Sequence, residues 1–438
     1  MKSVSAANPS FTHLLRVFLR IGLLSFGGPA GQIALMHREL VEDRHWISED
    51  GYLHALNFCH LLPGPEAQQL ATWIGWRLHG WRGGLAAGLL FVIPGALVIL
   101  MLSMLYAVAA NLDWFDALFL GVKAAVLAIV VQALVRIAGR ALNTGFKKGL
   151  AAGAFVALFL LDLPFPLIVL GTGGIGMAVA AFRPDWLALK PGTGAAPSGP
   201  RPWGSTLQAV AIWGVIWAAP MVLVAATLGF DHVLWDIGTF FSKLAVVTFG
   251  GAYAVLAYMA QEAVQGFGWL HPGEMADGLG LAETTPGPLI MVTQFVGYLA
   301  AWRAPEPFTP FVAGLLGAGL TTWVTFAPCF LWIFALAPWI DRLGHAVRLK
   351  GGLAAVTAAV VGVIANLTAW FLLHVLFASV GEIRVGLLRL YTPDWTSFDW
   401  RAGVLAALSC ALVFAAKWPV TRVLGLAAVG GLLLGMAT

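Results

Sequence analysis

The triplet Pro-Gly-Pro occurs twice in this sequence, at Pro63–Pro65 and at Pro286–Pro288. Proline removes a backbone donor and interrupts a helix, but it is favoured in the first turn of a new helix. Each triplet therefore predicts a break after which a half-helix begins. The N-terminus of a half-helix carries unpaired N–H groups and a partial positive charge, which suit an anion. A plain kink would explain one triplet, whereas two matched triplets favour a binding site.

A Phe-Gly-Gly break precedes each triplet, and polar side chains follow or flank both triplets. The glycines either let helices pack closely or lie directly against a ligand. Together these residues are the predicted lining of an anion site. They are Gly27, Gly28, Pro63, Gly64, Pro65, Gln68, Gln69, Gly250, Gly251, Thr284, Thr285, Pro286, Gly287, Pro288 and Gln294.

Three cations lie within or near apolar segments, where charge is expensive and indicates function. Arg20 and Lys243 occupy matching positions, six residues before the phenylalanine of each Phe-Gly-Gly break. We expect them to attract the substrate anion, with snorkelling to the membrane surface as the alternative. Lys123 is the lone charge of an apolar segment, so it must face the protein interior or pair with another group.

Four glutamates are candidates for proton coupling or for pairing with these cations. Glu39 and Glu262 occupy matching positions, although the dense charges around Glu39 also fit a solvated loop. Glu66 and Glu283 lie beside the triplets and are the stronger candidates for carrying a proton or organising cations.

An internal repeat connects these residues. Residues 18–65 align without gaps onto residues 241–288, at an offset of 223, and thirteen of the 48 positions are identical. Shared composition would match leucine and alanine, not Phe-Gly-Gly, glutamate, tryptophan and Pro-Gly-Pro. We therefore predict a duplication. The expected domains are a first repeat over 1–182, a linker with one additional transmembrane helix over 183–229, and a second repeat over 230–438.

Composition places the chain in a membrane. Of its 438 residues, 60% are hydrophobic and only 11% are charged, against about 25% charged in a soluble domain. A water-soluble enzyme is excluded, because polar side chains are too few to cover its surface. The basic residues behind the net charge of +4 fall in short loops, which the positive-inside rule explains without nucleic acid.

The predicted architecture is an all-α polytopic membrane protein with two inverted-topology repeats. Further helices are expected at about 83–109, 114–138, 149–162, 164–182, 206–229, 308–337, 351–378, 401–416 and 419–437. Corresponding loops of the two halves have opposite charge bias, which predicts opposite orientations. The segments at the breaks give thirteen spans if they cross and nine if they re-enter, with the N-terminus cytoplasmic and the C-terminus periplasmic either way. Interrupted helices in inverted repeats are typical of secondary transporters.

Several kinds of chemistry find no support in the sequence. There is no HExxH, GxSxG, P-loop or dinucleotide fingerprint, and the histidines have no metal-ligand spacing. The three cysteines show no CxxC spacing. We therefore expect no cofactor, no metal and no enzymatic activity. An intramembrane enzyme would need an acidic or metal cluster that the sequence does not offer.

Longer motifs around the breaks resemble the chromate ion transporter family in its long-chain, two-domain form. They are SFGGP at Ser25–Pro29, LLPGPEAQQLATWIGW at Leu61–Trp76, TFGG at Thr248–Gly251, and ETTPGP with FVGY within Glu283–Tyr298. The resemblance implies a bacterial inner-membrane exporter that removes chromate from the cytoplasm and confers resistance. It also implies sulfate as a related oxyanion and coupling to the proton-motive force. Ala252 and Tyr253 depart from the usual glycine-rich pattern of the second half.

The residues agree with that resemblance. Chromate is a tetrahedral dianion, and half-helix N-termini with one or two cations could bind it without a metal. An inside-negative potential favours its exit by about 2.3 kcal/mol per charge per 100 mV. We expect alternating access around the paired triplets, membrane lipid as surroundings, protons as a candidate coupling ion and a homodimer. The alternative is a transporter or antiporter of sulfate or another oxyanion.

Overall fold

The computed structural model describes residues 9–26, 28–109, 112–189, 202–249, 252–343 and 346–435. Most of them are helical, which confirms the all-α polytopic class. The helices up to the linker are α1 (Phe11–Leu24), α2 (Gly28–His37), α3 (Glu49–Cys59), α4 (Glu66–Ala109), α5 (Asp113–Ala141), α6 (Gly145–Phe159) and α7 (Phe165–Phe182). The later ones are α8 (Trp203–Thr227), α9 (Val233–Val247), α10 (Ala252–Gln261), α11 (Pro272–Thr284), α12 (Val292–Arg303), α13 (Pro310–Leu336), α14 (Ile340–Leu343), α15 (Val347–Leu376), α16 (Trp400–Phe414) and α17 (Val420–Gly435).

Six helical stretches among the described residues are long and apolar enough to cross a membrane, and α16 and α17 are shorter apolar helices. The six begin in α4, α5, α7, α8, α13 and α15. By contrast, α1, α2 and α3 have 14, 10 and 11 residues. At about 1.5 Å per residue they are about 15–21 Å long, which is half to about two thirds of a ~30 Å hydrocarbon layer. The segments around the breaks are therefore half-length helices.

The order of elements is the same in both halves around the breaks. In each half a half-length helix leads to the Phe-Gly-Gly break, and a ten-residue helix (α2 or α10) follows it. That helix runs into a five-residue π-helix, Arg38–Glu42 or Glu262–Gly266. A further half-helix, α3 or α11, then leads to the Pro-Gly-Pro triplet. π-Helices are rare in proteins, and those that occur often lie at functional sites.

The chain forms two compact units, and each unit draws on both halves of the sequence. The first unit comprises Met1–Ser103, Thr193–Ala252 and Thr285–Ala346. The second comprises Met104–Gly192, Tyr253–Thr284 and Val347–Thr438. In the first unit α13 packs against α8, α9 and α12, and in the second α15 packs against α5, α6 and α7. The predicted repeats are two similar stretches of sequence. The compact units do not coincide with them, because each unit contains segments from both halves of the chain.

Both break segments of the first repeat turn back within the first unit. The His13 ring at the start of α1 lies 5.2 Å from the Trp46 ring, which follows α2 and its π-helix. His79 Nε2 donates to the Pro9 carbonyl at 2.6 Å, and the helical path of α4 is interrupted at His79 and Gly80. The ends of the two segments, at Trp46 and at His79, therefore both lie beside the start of α1.

A β-hairpin stands where the sequence predicts only a loop, at about 381–399. Strands β1 (Val380–Val385) and β2 (Leu388–Pro393) pair antiparallel in the second unit. Gly386 has φ +63° and allows the tight turn between them. Two short strand-like runs joined at a glycine are a sequence signal for such a hairpin. The balanced charges of the segment are equally typical of a loop. Apart from this hairpin and the Phe377–Phe398 bridge, the described residues carry no strand.

Arg389 of β2 anchors the hairpin to the end of α6. Only 3% of it is exposed; its Nη1 donates to Asp162 at 2.6 Å and its Nη2 to the Leu158 carbonyl at 3.0 Å. Arg384 of β1 also donates to Asp162 at 2.6 Å, but its side chain is 67% exposed. The two arginines therefore form a matched pair on one carboxylate, one buried and one in solvent.

We expect Arg389→Ala to lower the free energy of unfolding by about 2–3 kcal/mol, because it leaves a partly buried carboxylate and a carbonyl with fewer partners. Arg384→Ala should cost less than about 1 kcal/mol, as exposed ion pairs do. Thermal unfolding of the detergent-purified variants measures both. Equal losses from the two substitutions would contradict the anchoring role of Arg389.

Candidate functional site

The two Pro-Gly-Pro turns are held by reciprocal hydrogen bonds inside the first unit. The Gly64 N–H donates to the Thr248 carbonyl at 2.9 Å, and the Gly287 N–H donates to the Ser25 carbonyl at 2.8 Å. Gly64 and Gly287 are matching positions of the repeat, as are Ser25 and Thr248. Each turn therefore bonds to the residue before the Phe-Gly-Gly break of the other repeat. We call these two turns the crossed turns.

Glycine is required at the centre of each crossed turn. Gly64 and Gly287 have φ of +110° and +101°, which L side chains rarely adopt. A Cβ on Gly64 would lie 3.0 Å from Cys329 Sγ, and one on Gly287 would lie 3.0 Å from the Cα of Gly95. Gly95 and Cys329 each follow a proline inside a long helix, α4 and α13 respectively. Each turn thus packs against a helix whose own hydrogen bonding is interrupted.

Buried glutamine amides fix the carbonyls around the turns. Gln69 Nε2 donates to the Pro63 carbonyl at 2.6 Å, and Gln294 Nε2 donates to the Ala96 carbonyl at 3.0 Å. Gln32 Nε2 donates to the Gly287 carbonyl at 2.6 Å. Sequence reasoning missed Gln32, because valine stands at its matching position 255 and the repeat gives no signal there.

Polar groups without partners remain beside the turns. Gln68, Gln69 and Gln294 are buried, and the Oε1 of each accepts no hydrogen bond within the described residues. The helix α4 begins at Glu66, and the N–H groups of its first turn have no partner inside the helix. After the second triplet a 3-10 turn, Leu289–Met291, precedes α12. The predicted half-helix start is therefore immediate after the first triplet and delayed after the second.

The matched cations lie on exposed faces of their helices. Arg20 of α1 is 59% exposed, and its Nε lies 3.5 Å from Glu39 Oε1. Lys243 of α9 is exposed as well. Glu39 is only 2% exposed and also accepts a hydrogen bond from Arg44 Nη1. Glu39 is therefore a buried partner of two arginines and not part of a solvated loop.

The remaining predicted residues are distributed over both units. Glu66 Oε1 lies 3.8 Å from His60 Nδ1 in the first unit, where Thr285 is buried. In the second unit Glu283 accepts from Tyr253 Oη at 2.7 Å and Lys123 lies near Asp277, while Glu262 is half-buried. Thr284 donates to the Leu281 carbonyl of its own helix at 2.9 Å. Gly28 has φ +67°, while Gly27, Gly250 and Gly251 lie outside the described residues.

His37, the last residue of α2, lies between two glutamates just before the first π-helix. His37 Nε2 lies 2.6 Å from Glu49 Oε2, and His37 Nδ1 lies 3.0 Å from Glu42 Oε1. The hydrogen bond that His37 donates to the Glu49 carboxylate raises the pKa of His37, against a smaller opposing effect of burial. Within the described ranges no group of three His, Cys, Asp or Glu side chains could hold a metal ion.

Comparison with known proteins identifies the family. The sequence model of the chromate transporter family matches residues 12–177 and 235–435, one range in each predicted repeat. A chromate transport protein of Pseudomonas aeruginosa is 34% identical over 364 residues, covering 82% of this chain and 80% of the relative. A chromate transport protein of Cupriavidus metallidurans is 28% identical over 386 residues, 88% of each chain. No solved structure matches the chain.

A probable chromate transport protein of Synechococcus elongatus is 28% identical over 365 residues, covering 82% of this chain and 83% of the relative. The family match spans both breaks and both Pro-Gly-Pro triplets. Together with the helical architecture and the six long apolar stretches, these matches show that the chain is a multi-pass membrane protein that belongs to the chromate transporter family.

Proposed function

We propose that this chain exports chromate from the cytoplasm by alternating access around the crossed turns, and that this export makes a cell resistant to chromate. Membership of the chromate transporter family supports the substrate. Three relatives that match across most of their length are named for chromate transport. The reciprocal hydrogen bonds of Gly64 and Gly287 are the observation that carries the mechanism.

Matched contacts suit a carrier with two opposite states. Each crossed turn is bonded to the break of the other repeat. A movement that breaks one bond can therefore leave the other intact, and the opposite movement is related to it by the pseudo-two-fold axis of the repeat. In an inverted repeat such a pair of movements opens the site to one side of the membrane and then to the other. Nine crossings with re-entrant hairpins at the breaks would give cytoplasmic N- and periplasmic C-termini.

Donor groups around the turns suit a tetrahedral dianion. The first-turn N–H groups of α4 and the buried amide of Gln68 lie beside the first triplet. An amide can rotate so that its NH₂ faces an anion, and the Thr72 hydroxyl, which accepts from Gln68 Nε2 and donates to the Gln68 carbonyl, can turn its hydrogen toward the anion. Arg20 and Lys243 then supply the long-range attraction. No metal is needed for such a site, and sulfate would compete for it as a related oxyanion.

The membrane potential supplies a driving force for export. Two negative charges leaving a cell with an inside-negative potential of 100 mV release about 4.6 kcal/mol. Chromate export is therefore electrically downhill. In secondary active export a coupled proton would add to this driving force or regulate its use. A homodimer is the proposed assembly, as closed two-fold association is common.

Arg20→Ala should reduce chromate export about tenfold, because the field of charged side chains raises the rate at which an oppositely charged ion associates by at least about that factor. Arg44 still pairs with Glu39 in this variant, so we expect the fold to persist. Arg16→Ala is the matched control, one turn earlier on the same helix and also exposed. Chromate accumulation in sensitive cells that express each variant measures the effect. Export by Arg20→Ala at the rate of the Arg16→Ala control would contradict a role for Arg20 in chromate attraction.

A further inference from the structure

A buried carboxylate outside the crossed turns is held by a lysine and a tyrosine. Asp277 of α11 is 4% exposed and lies in the second unit. Its Oδ1 is 3.4 Å from Lys123 Nζ, and its Oδ2 accepts a hydrogen bond from Tyr106 Oη at 2.7 Å. Gly273 on the same helix leaves room for the lysine, since a Cβ there would lie 3.1 Å from Lys123 Nζ. An ionisable group in this position indicates function by default.

The surroundings leave one oxygen of Asp277 able to take a proton. Oδ1 accepts no hydrogen bond within the described residues, although it lies within ion-pair distance of Lys123. The Tyr106 ring is fixed against Phe115 and Phe119, with centroids 5.4 and 5.6 Å away. The charged or titratable groups acting on Asp277 are Lys123, Tyr106 and Glu274. The neighbouring α15 carries its charged and titratable residues only in its terminal turns, at Arg348, Lys350 and His374.

The repeat places titratable residues at the same points of the other half. Asp277 and Glu283 of α11 align with His54 of α3 and with His60, the residue that follows α3, at the offset of 223. Each histidine has an acidic partner in the first unit, at 3.3 Å for His54 and 3.8 Å for His60; these partners are Asp341 and Glu66. A packing role would not require titratable side chains at all four positions. The half-helix before each triplet therefore carries groups suited to proton exchange.

We propose that Asp277 is the group that takes up and releases a proton during each transport cycle. This inference rests on the proposed function, which it deepens. A proton from water binds Oδ1, the carboxyl becomes neutral, and the ion pair with Lys123 is lost while Lys123 keeps its own proton. The site changes from neutral to singly positive, and an unpaired ammonium that is only partly exposed, as Lys123 is, is costly. α11 ends at Thr284, two residues before Pro286 in the sequence, so the chain connects Asp277 directly to the second triplet.

The test uses purified protein in liposomes that contain a pH-sensitive dye. One measurement follows exchange of labelled for unlabelled chromate without any gradient, and the other follows the pH change that accompanies net chromate flux. Asp277→Asn should keep chromate exchange but lose the accompanying proton movement at least about tenfold, and Asp277→Glu should restore it. Asp185→Asn, an exposed carboxylate in the second unit, is the control and should behave as the wild type.

Two results would overturn the proposal. One is proton movement by Asp277→Asn at the rate of the wild-type protein. The other is chromate flux through the wild-type protein with no accompanying proton movement. Absence of chromate flux in the wild type would instead contradict the proposed function itself. If Asp277→Asn fails to fold, the double variant with Lys123→Met removes both charges and leaves neither unpaired. That variant should exchange chromate without moving protons; proton movement by it would equally overturn the role of Asp277.

Discussion

Gly287→Ala should reduce chromate export at least about tenfold while leaving a folded protein. The alanine would have to adopt a φ of +101°, a strain of about 1–3 kcal/mol, and its Cβ would lie 3.0 Å from the Cα of Gly95. The turn must shift to relieve this contact, which lengthens the hydrogen bond from Gly287 to Ser25. Gly64→Ala should act in the same way through Cys329.

Gly319→Ala is the matched control, because this glycine lies in α13 of the same unit and a Cβ there meets nothing within 4 Å. Chromate flux, normalised to the amount of folded protein, measures the effect. Wild-type flux from both turn variants would show that transport does not depend on the crossed turns. A loss with Gly319→Ala as large as with Gly287→Ala would show a general sensitivity of the helices.

Glu39→Ala should lower the free energy of unfolding by about 2–3 kcal/mol. Glu39 is buried between Arg20 and Arg44, and removing one member of a buried pair leaves an uncompensated charge. The magnitude lies below the usual range for fully buried pairs because the Arg20 side chain is largely exposed. Thermal unfolding in detergent measures the change.

Glu42→Ala is the control for this prediction, since Glu42 lies in the same π-helix with its side chain 58% exposed. Its removal should change the stability by less than about 1 kcal/mol. Similar unfolding temperatures for the two variants would show that Glu39 is not a structural anchor of the first π-helix.

Periodic and repeated features of the fold could be predicted from the sequence. The apolar segments predict the long helices to within a few residues; the span expected at 351–378, for example, is Val347–Leu376. The duplicated triplets direct attention to Gly64 and Gly287, because positions that recur at a constant offset stand out from composition. The hairpin at Val380–Pro393 was missed, since it lies in a short segment with no repeat partner.

Contacts between distant segments could not be predicted in the same way. Nothing in the sequence pairs Lys123 with Asp277, because ion pairing depends on which faces of α5 and α11 meet. The contact of Gln32 could not be predicted either, since its partner is a backbone carbonyl 255 residues away. The repeat does contain a usable signal for Asp277, namely the titratable residue at its matching position, His54. Reading matched positions for chemical class as well as identity would have found it.

Chromate flux in inside-out membrane vesicles tests the central claim most directly, because export in the cell becomes uptake in such vesicles. Vesicles that contain the wild-type chain and carry an inside-positive potential should accumulate chromate well above vesicles without it, and excess sulfate should slow this uptake. Vesicles with Gly287→Ala should accumulate at least about tenfold less in the initial phase. Uptake by wild-type vesicles no faster than by vesicles lacking the protein would contradict chromate export by this chain.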